Sequence, residues 1–132
     1  MEGREMTKIS VTVPRVPCGA NKLMRMHFRE RTDLRRGWES DIFHLLTNKD
    51  KKCLKAWRDL REGLEQKTPI RIHILHKREF DPDNLFSAVK IPLDALANLG
   101  FIRDDSHKFI TLEVTQEKSV ENQTVIEIEG PQ

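Results

Sequence analysis

Four short runs of this chain alternate apolar and polar side chains with a period of two, and that alternation limits the fold more than any other feature. Ile70 to His76 (IRIHILH) sets Ile70, Ile72 and Ile74 against Arg71, His73 and Leu75. Lys8 to Val13 (KISVTV) sets Ile9, Val11 and Val13 against polar neighbours, and Pro14 and Pro17 then stop the run. Phe109 to Val114 and Thr124 to Glu129 repeat the pattern. Successive side chains of a strand point to opposite faces, so each run has one face to bury and the four together require a sheet covered on one side. Helices supply the cover. From about Asp33 to Gln66 the residues Trp38, Ile42, Leu45, Leu46, Leu54, Trp57, Leu60 and Leu64 fall at helical spacing, with a polar interruption at Thr47 to Lys52, which reads as a helical hairpin or one interrupted helix. Thr68 and Pro69 mark its end. A further helix is expected from about Asn84 to Asn98, with Asp83 as N-cap, Gly100 as stop, and a kink or break near Lys90 to Ile91 imposed by Pro92. The last two runs, joined by the polar Thr115 to Gln123, read as a β-hairpin. The order β-α-α-β-α-β-β predicts an α+β fold: a small mixed sheet of about four strands with helices mainly on one face.

The 132 residues, 37% hydrophobic and 33% charged, fit a single domain over residues 1–132. Their apolar residues are grouped and the formal net charge is only +2, which argues against disorder throughout. The most apolar stretch, Ile91 to Phe101, contains Asp94 and Pro92 and falls short of the roughly 20 residues a spanning helix needs, so no membrane partner is expected. Met1 to Thr12 has no apolar core of a secretory leader. Cys18 and Cys53 have neither CxxC nor Cys/His spacing, so zinc and disulfides are not expected and a reducing, cytoplasmic location is. Cys18 to Lys22 lacks the spacing of a nucleotide phosphate loop, and no organic cofactor is expected.

Charge is uneven along the chain. Ala20 to Arg36 carries six Lys/Arg against two acids, whereas Thr111 to Gln132 carries five acids against one lysine, so an anionic partner is sought near the start. The chemistry is expected in Lys77 to Asn84 (KREFDPDN), followed by Lys90, Asp94 and Asp104-Asp105. Chain extended around Pro82 would project the Asp81 and Asp83 carboxylates to one side at the end of the second strand, where they can share a hard divalent cation. Lys90 and Asp94 are four apart and share a helix face. Asp104-Asp105 returns beside the strand end provided the third strand pairs next to the second. Each feature alone has a plainer reading, as a solvated cap, a surface ion pair or a turn. Several aspartates at chain reversals around one lysine-bearing helix, with basic residues just before it, make up the inventory of a phosphodiester hydrolase. The five histidines fit no metal spacing, and Trp38 and Trp57 sit among Leu and Ile at core spacing.

The run Asp81-x-Asp83-Asn84-Leu85, a lysine one to two turns later, Asp94-Ala95-Leu96, Gly100-Phe101 and Asp104-Asp105 resembles the signature of the RusA family of Holliday-junction resolvases. The order of elements matches over most of the chain, and Asp81 to Ser106 matches most sharply. The resemblance implies a small homodimeric crossover junction endodeoxyribonuclease of DNA recombination and repair, often of phage or prophage origin. It implies Mg²⁺, with Mn²⁺ as a substitute, on Asp81, Asp83 and Asp105, with Asp94 a further nearby acid and Lys90 the catalytic lysine. It places Asn21 and the arginines after Pro17 in a DNA-contacting loop. The DNA-binding set expected here is Asn21, Arg25, Arg29, Arg31, Lys77 and Arg78, the partner branched DNA in the form of a four-way junction. One departure is plain: Ser87 stands where the family has its lysine, and Lys90 and Asp94 come three residues late, about 60° short of a full helical turn. The alternatives are a non-catalytic branched-DNA-binding dimer of the same fold and a hydrolase of a small phosphorylated substrate.

Overall fold

A computed structural model describes residues 8–47, 68–102 and 108–129. Its elements are β1 (Lys8–Val13), α1 (Ala20–Arg25), α2 (Phe28–Thr47), β2 (Thr68–His76), α3 (Pro82–Ala88), α4 (Lys90–Leu99), β3 (Ile110–Lys118) and β4 (Gln123–Glu129). The strands form one mixed sheet in the order β1-β4-β2-β3, an α+β arrangement. β4 runs antiparallel to both β1 and β2, while β3 runs parallel to β2, with Thr68 beside Ile110 and His76 beside Lys118.

One sheet face is the core. Ile9, Val11, Val13, Ile70, Ile72, Ile74, Ile126 and Ile128 are buried there with Trp38 and Ile42 of α2 and Leu93 and Leu96 of α4. The opposite face carries Arg71, His73, Thr115 and Glu117 and is polar, as the alternation predicts. Across the helical layer, Arg15 straps the chain after β1 to α2: its Nε lies 2.8 Å from Asp41, and its guanidinium carbon sits 5.7 Å from the Trp38 ring centroid. Gly37 leaves room for the strap, since a Cβ there would stand 2.9 Å from Arg15 Nη1.

The expected β-hairpin does not form. β2 lies between β3 and β4 and bonds to both. With Ile70, Ile72 and Ile74 all buried, β2 is the strand best suited to the centre, whereas the inward residues of β3 beyond Ile110 are only partly buried and suit an edge. The α3–α4 crossover permits the parallel pairing of β2 with β3. The link Ser119–Asn122 then crosses the end of β2, where Ser119 N–H donates to the His76 carbonyl at 2.9 Å. Pro69, expected before the second strand, lies within it. It sits one residue outside the β4 ladder, which starts at Ile70, so its missing donor costs nothing on that side.

The helices also depart from expectation in detail. α2 begins at Phe28, and the basic loop contains α1, too short for a periodic signature. Leu54, Trp57, Leu60 and Leu64 lie outside the described residues. The helical segment expected over Asn84–Asn98 with a kink or break near Lys90 to Ile91 is indeed divided in two, the break falling one residue earlier, at Val89 (φ −87°, ψ 2°). Pro92 is the cause: it has no N–H for the Ala88 carbonyl and its ring crowds that same group, so regular bonding restarts with Leu93 N–H on Val89 at 3.0 Å. Gly100 ends α4 at φ 87°, as expected, with Gly100 N–H on Ala97 and Phe101 N–H on Leu96.

Candidate functional site

The site is built where β2 ends. Beyond His76 the chain runs through Lys77 to Phe80, and the Phe80 peptide is held on both sides by one side chain of β3. Phe80 N–H donates to Gln116 Oε1 at 2.8 Å, and Gln116 Nε2 donates to the Phe80 carbonyl at 2.8 Å. His76 Nε2 lies 3.1 Å from the same Oε1, and the rings of His76 and Phe80 pack with centroids 5.0 Å apart. Gly19 closes the other side, where a Cβ would come within 3.4 Å of the Phe80 ring. The amide of Gln116 thus supplies the bond pair that a neighbouring strand would make and fixes the peptide just before Asp81.

Asp81 is the N-cap of α3, in extended conformation (φ −63°, ψ 150°), with Pro82 in the first turn. This corrects the expectation that Asp83 caps the helix. Proline is well suited to the first helical position, because an N–H there has no intrahelical partner. The Asp81 carbonyl accepts N–H bonds from Asn84 (2.9 Å) and Leu85 (3.0 Å), while its side chain makes no capping bond and is exposed. Asp83 is the second residue of α3. The two carboxylate positions are therefore N-cap and first turn, rather than alternate residues of an extended strand.

Lys90 and Asp94 meet as predicted, with Nζ 3.7 Å from Oδ1. Both line a cleft of about 440 Å³ with Ser87, Met24, Phe28 and Arg31, between α1–α2 and α3–α4. Lys90 therefore reaches the same cleft as Ser87, the position where the resemblance leads one to expect a lysine. Asp81 is not among the lining residues described: it caps the start of α3, whereas Lys90 opens α4 beyond the break at Val89. Asp104 and Asp105 lie outside the described residues. β3 does pair beside β2, and the parallel register sets Ile110 at the Thr68 end of β2, opposite the end from which Asp81 leaves.

The basic residues divide between two places. Lys77 and Arg78 line a groove of about 480 Å³ with Pro17, Gly19, Lys22 and Phe80, so the N-terminal loop and the approach to Asp81 come together. Asn21 lies in α1 beside Lys22. Arg31 lines the other cleft, and Arg25 and Arg29 are exposed. His73 and His76 face opposite sides of the sheet, as expected: His73 pairs with Thr115 and Glu117 on the open face, and His76 is buried.

The sequence reading missed Gln116, and a signal for it exists. Ile110, Leu112, Val114 and Gln116 form one inward-facing series on β3, and a polar side chain in such a series needs a buried partner.

No family model matches this chain, and no curated protein does. Among the described residues no three His, Cys, Asp or Glu side chains group closely enough to hold a metal ion, and no helix is long and apolar enough to cross a membrane.

Proposed function

We propose that the protein is a Mg²⁺-dependent, structure-selective DNA endonuclease of the RusA type, with Mn²⁺ as a substitute, acting as a homodimer on four-way junctions in cytoplasmic recombination and repair. The observation that carries this is an exposed carboxylate, Asp81, on a clamped peptide beside a groove bearing Lys22, Lys77 and Arg78. An exposed, uncapped carboxylate suits a hard cation that takes one or two protein oxygens and fills its remaining positions with water and phosphate oxygens. Asp81, Asp83 and Asp105 are the residues that would hold it. When bound, such an ion offsets charge on the scissile phosphate and lowers the pKa of a water.

The chain's own contribution is positioning. Gln116 fixes the Phe80 peptide and Gly19 makes room for its ring, Lys22, Lys77 and Arg78 neutralise backbone phosphates, and a two-fold dimer supplies one site for each of two symmetric nicks. Lys90 and Asp94 take their places in this reading as the resemblance assigns them, the lysine stabilising developing charge. One observation favours the second reading, a non-catalytic branched-DNA-binding dimer: Lys90 is paired with Asp94 and lines the cleft of Arg31.

A labelled synthetic junction incubated with Mg²⁺, Mn²⁺ or EDTA decides. The expected result is paired nicks near the junction centre with either metal, lost in Asp83→Asn while the gel shift persists. Undiminished nicking by Asp83→Asn removes that residue from the mechanism. A shift without nicks from the unaltered protein selects the second reading.

A further inference from the structure

We propose that the β3–β4 link, with Lys118 at its start, and Lys22 of α1 form one continuous track for the phosphodiester backbone of DNA across the end of β2. The proposal rests on the nucleic-acid function assigned to the Asp81 end of the molecule and extends it to Lys118 and the β3–β4 link, which neither the charge pattern nor the resemblance picks out. The groove beside Phe80 contains Lys22, Lys77 and Arg78, and a second cleft of about 580 Å³ contains Lys77, Lys118, Ser119 and Val120. Lys77 is common to both, so the two are parts of one surface. Four cations from three separate parts of the chain meet there, and no described lining residue of either cleft is acidic.

Local structure explains the convergence, and Glu121, the acid within the link, is not among the described lining residues of either cleft. β3 ends beside β2, with Lys118 in register with His76, so the link to β4 must cross the end of β2. Asn122 Oδ1 accepts the Lys77 N–H at 3.2 Å and ties the link to the chain leading to Asp81, while Ser119 Oγ accepts the Glu121 N–H at 3.2 Å and orders the turn. Strand alternation sends the acid next to Lys118 to the other face, where Glu117 pairs with His73 at 3.1 Å. The cleft between α2 and α4 is different, because Arg35 and Lys90 are each met by an acid four residues on. The cations at the end of β2 are exposed and spread along an open surface. That arrangement fits an extended polyanion, whose charges repeat along its length, better than a compact anion needing an enclosed site.

The test is binding of a fluorescent four-way junction in EDTA, followed against salt for the unaltered protein, Lys22→Ala, Lys118→Ala, the double variant and Arg71→Ala. Arg71 lies on the open face of the sheet, 3.6 Å from Glu113, and controls for net charge. Each lysine variant should make the slope of log affinity against log salt shallower by about 0.9, and the double variant by about 1.8. Arg71→Ala should leave it unchanged. A slope unmoved by the double variant, with the junction still bound, overturns the track alone, as does an equal effect of Arg71→Ala. No binding by the unaltered protein at low salt overturns the nucleic-acid function and the track with it.

Discussion

Gln116 concentrates the logic of the site in one side chain. Its amide both accepts from and donates to the Phe80 peptide, since it carries an acceptor oxygen and a donor nitrogen side by side. Replacing it with leucine leaves a part-buried N–H and C=O without partners, at a cost of about 1–3 kcal/mol. Glutamate keeps the acceptor but turns a second oxygen toward the Phe80 carbonyl, so it should not rescue. The expected outcome for Gln116→Leu is faster hydrogen exchange at the Phe80 amide. Weaker Mn²⁺ binding, read by magnetic resonance on protein still folded at the assay temperature, should accompany it. Unchanged metal affinity with a lowered melting temperature would make Gln116 structural only. That the strand gives out before Asp81 is legible in the sequence, since Asp-Pro-Asp follows an alternating run. The geometry of Asp81 and Asp83 is not, because Pro82 serves an extended chain and a first helical turn equally well. The partner that fixes Asp81 was hidden because the strand was expected to stop at Val114, two residues short of Gln116.

At the scale of elements, side-chain periodicity says which face of a strand is wet but not which strand lies beside it. Every alternation predicted for Ile70–His76 and Thr124–Glu129 appears in the sheet, yet β3 and β4 are separated by β2. Consecutive runs joined by a short polar segment satisfy a hairpin and a crossing over an intervening strand alike, and the choice depends on which strand has most to bury on both edges. Punctuation is more reliable, because proline and glycine act through the local backbone. Pro92 breaks the helix near where its lost bond to Ala88 predicts, and Gly100 takes the left-handed conformation its position predicts. Gly100→Ala forces a Cβ into φ 87° and should lower the unfolding free energy by about 1 kcal/mol in urea titration. An unchanged midpoint would mean that the α4 end relaxes without cost. The turn is also followed directly by buried Phe101 and Ile102, so the strain cannot be shed by fraying the helix end.

For the whole molecule, β2 carries both the stability and the candidate site. Its middle residues are buried in the centre of a sheet covered on one side, and its end delivers Phe80 to Gln116 and Asp81 to the surface. These duties are separated along the strand, since Ile72 is four residues from His76 and faces the core without touching the clefts described. Stability and activity should therefore separate under mutation. Ile72, 1% exposed, loses one methylene in Ile72→Val, at about 0.5–1.5 kcal/mol, and most of its side chain in Ile72→Ala, at about 2–5 kcal/mol. Because the buried residues form one continuous cluster, the loss should lower the urea midpoint for far-ultraviolet circular dichroism and tryptophan fluorescence together, with the slope preserved. Junction affinity per folded molecule should not change in Ile72→Val, because the Lys22–Lys118 surface and the Gln116 clamp are left intact. A fall in affinity at temperatures where Ile72→Val is fully folded would show that packing at the middle of β2 is transmitted to its end, and that the sheet acts as more than a rigid support.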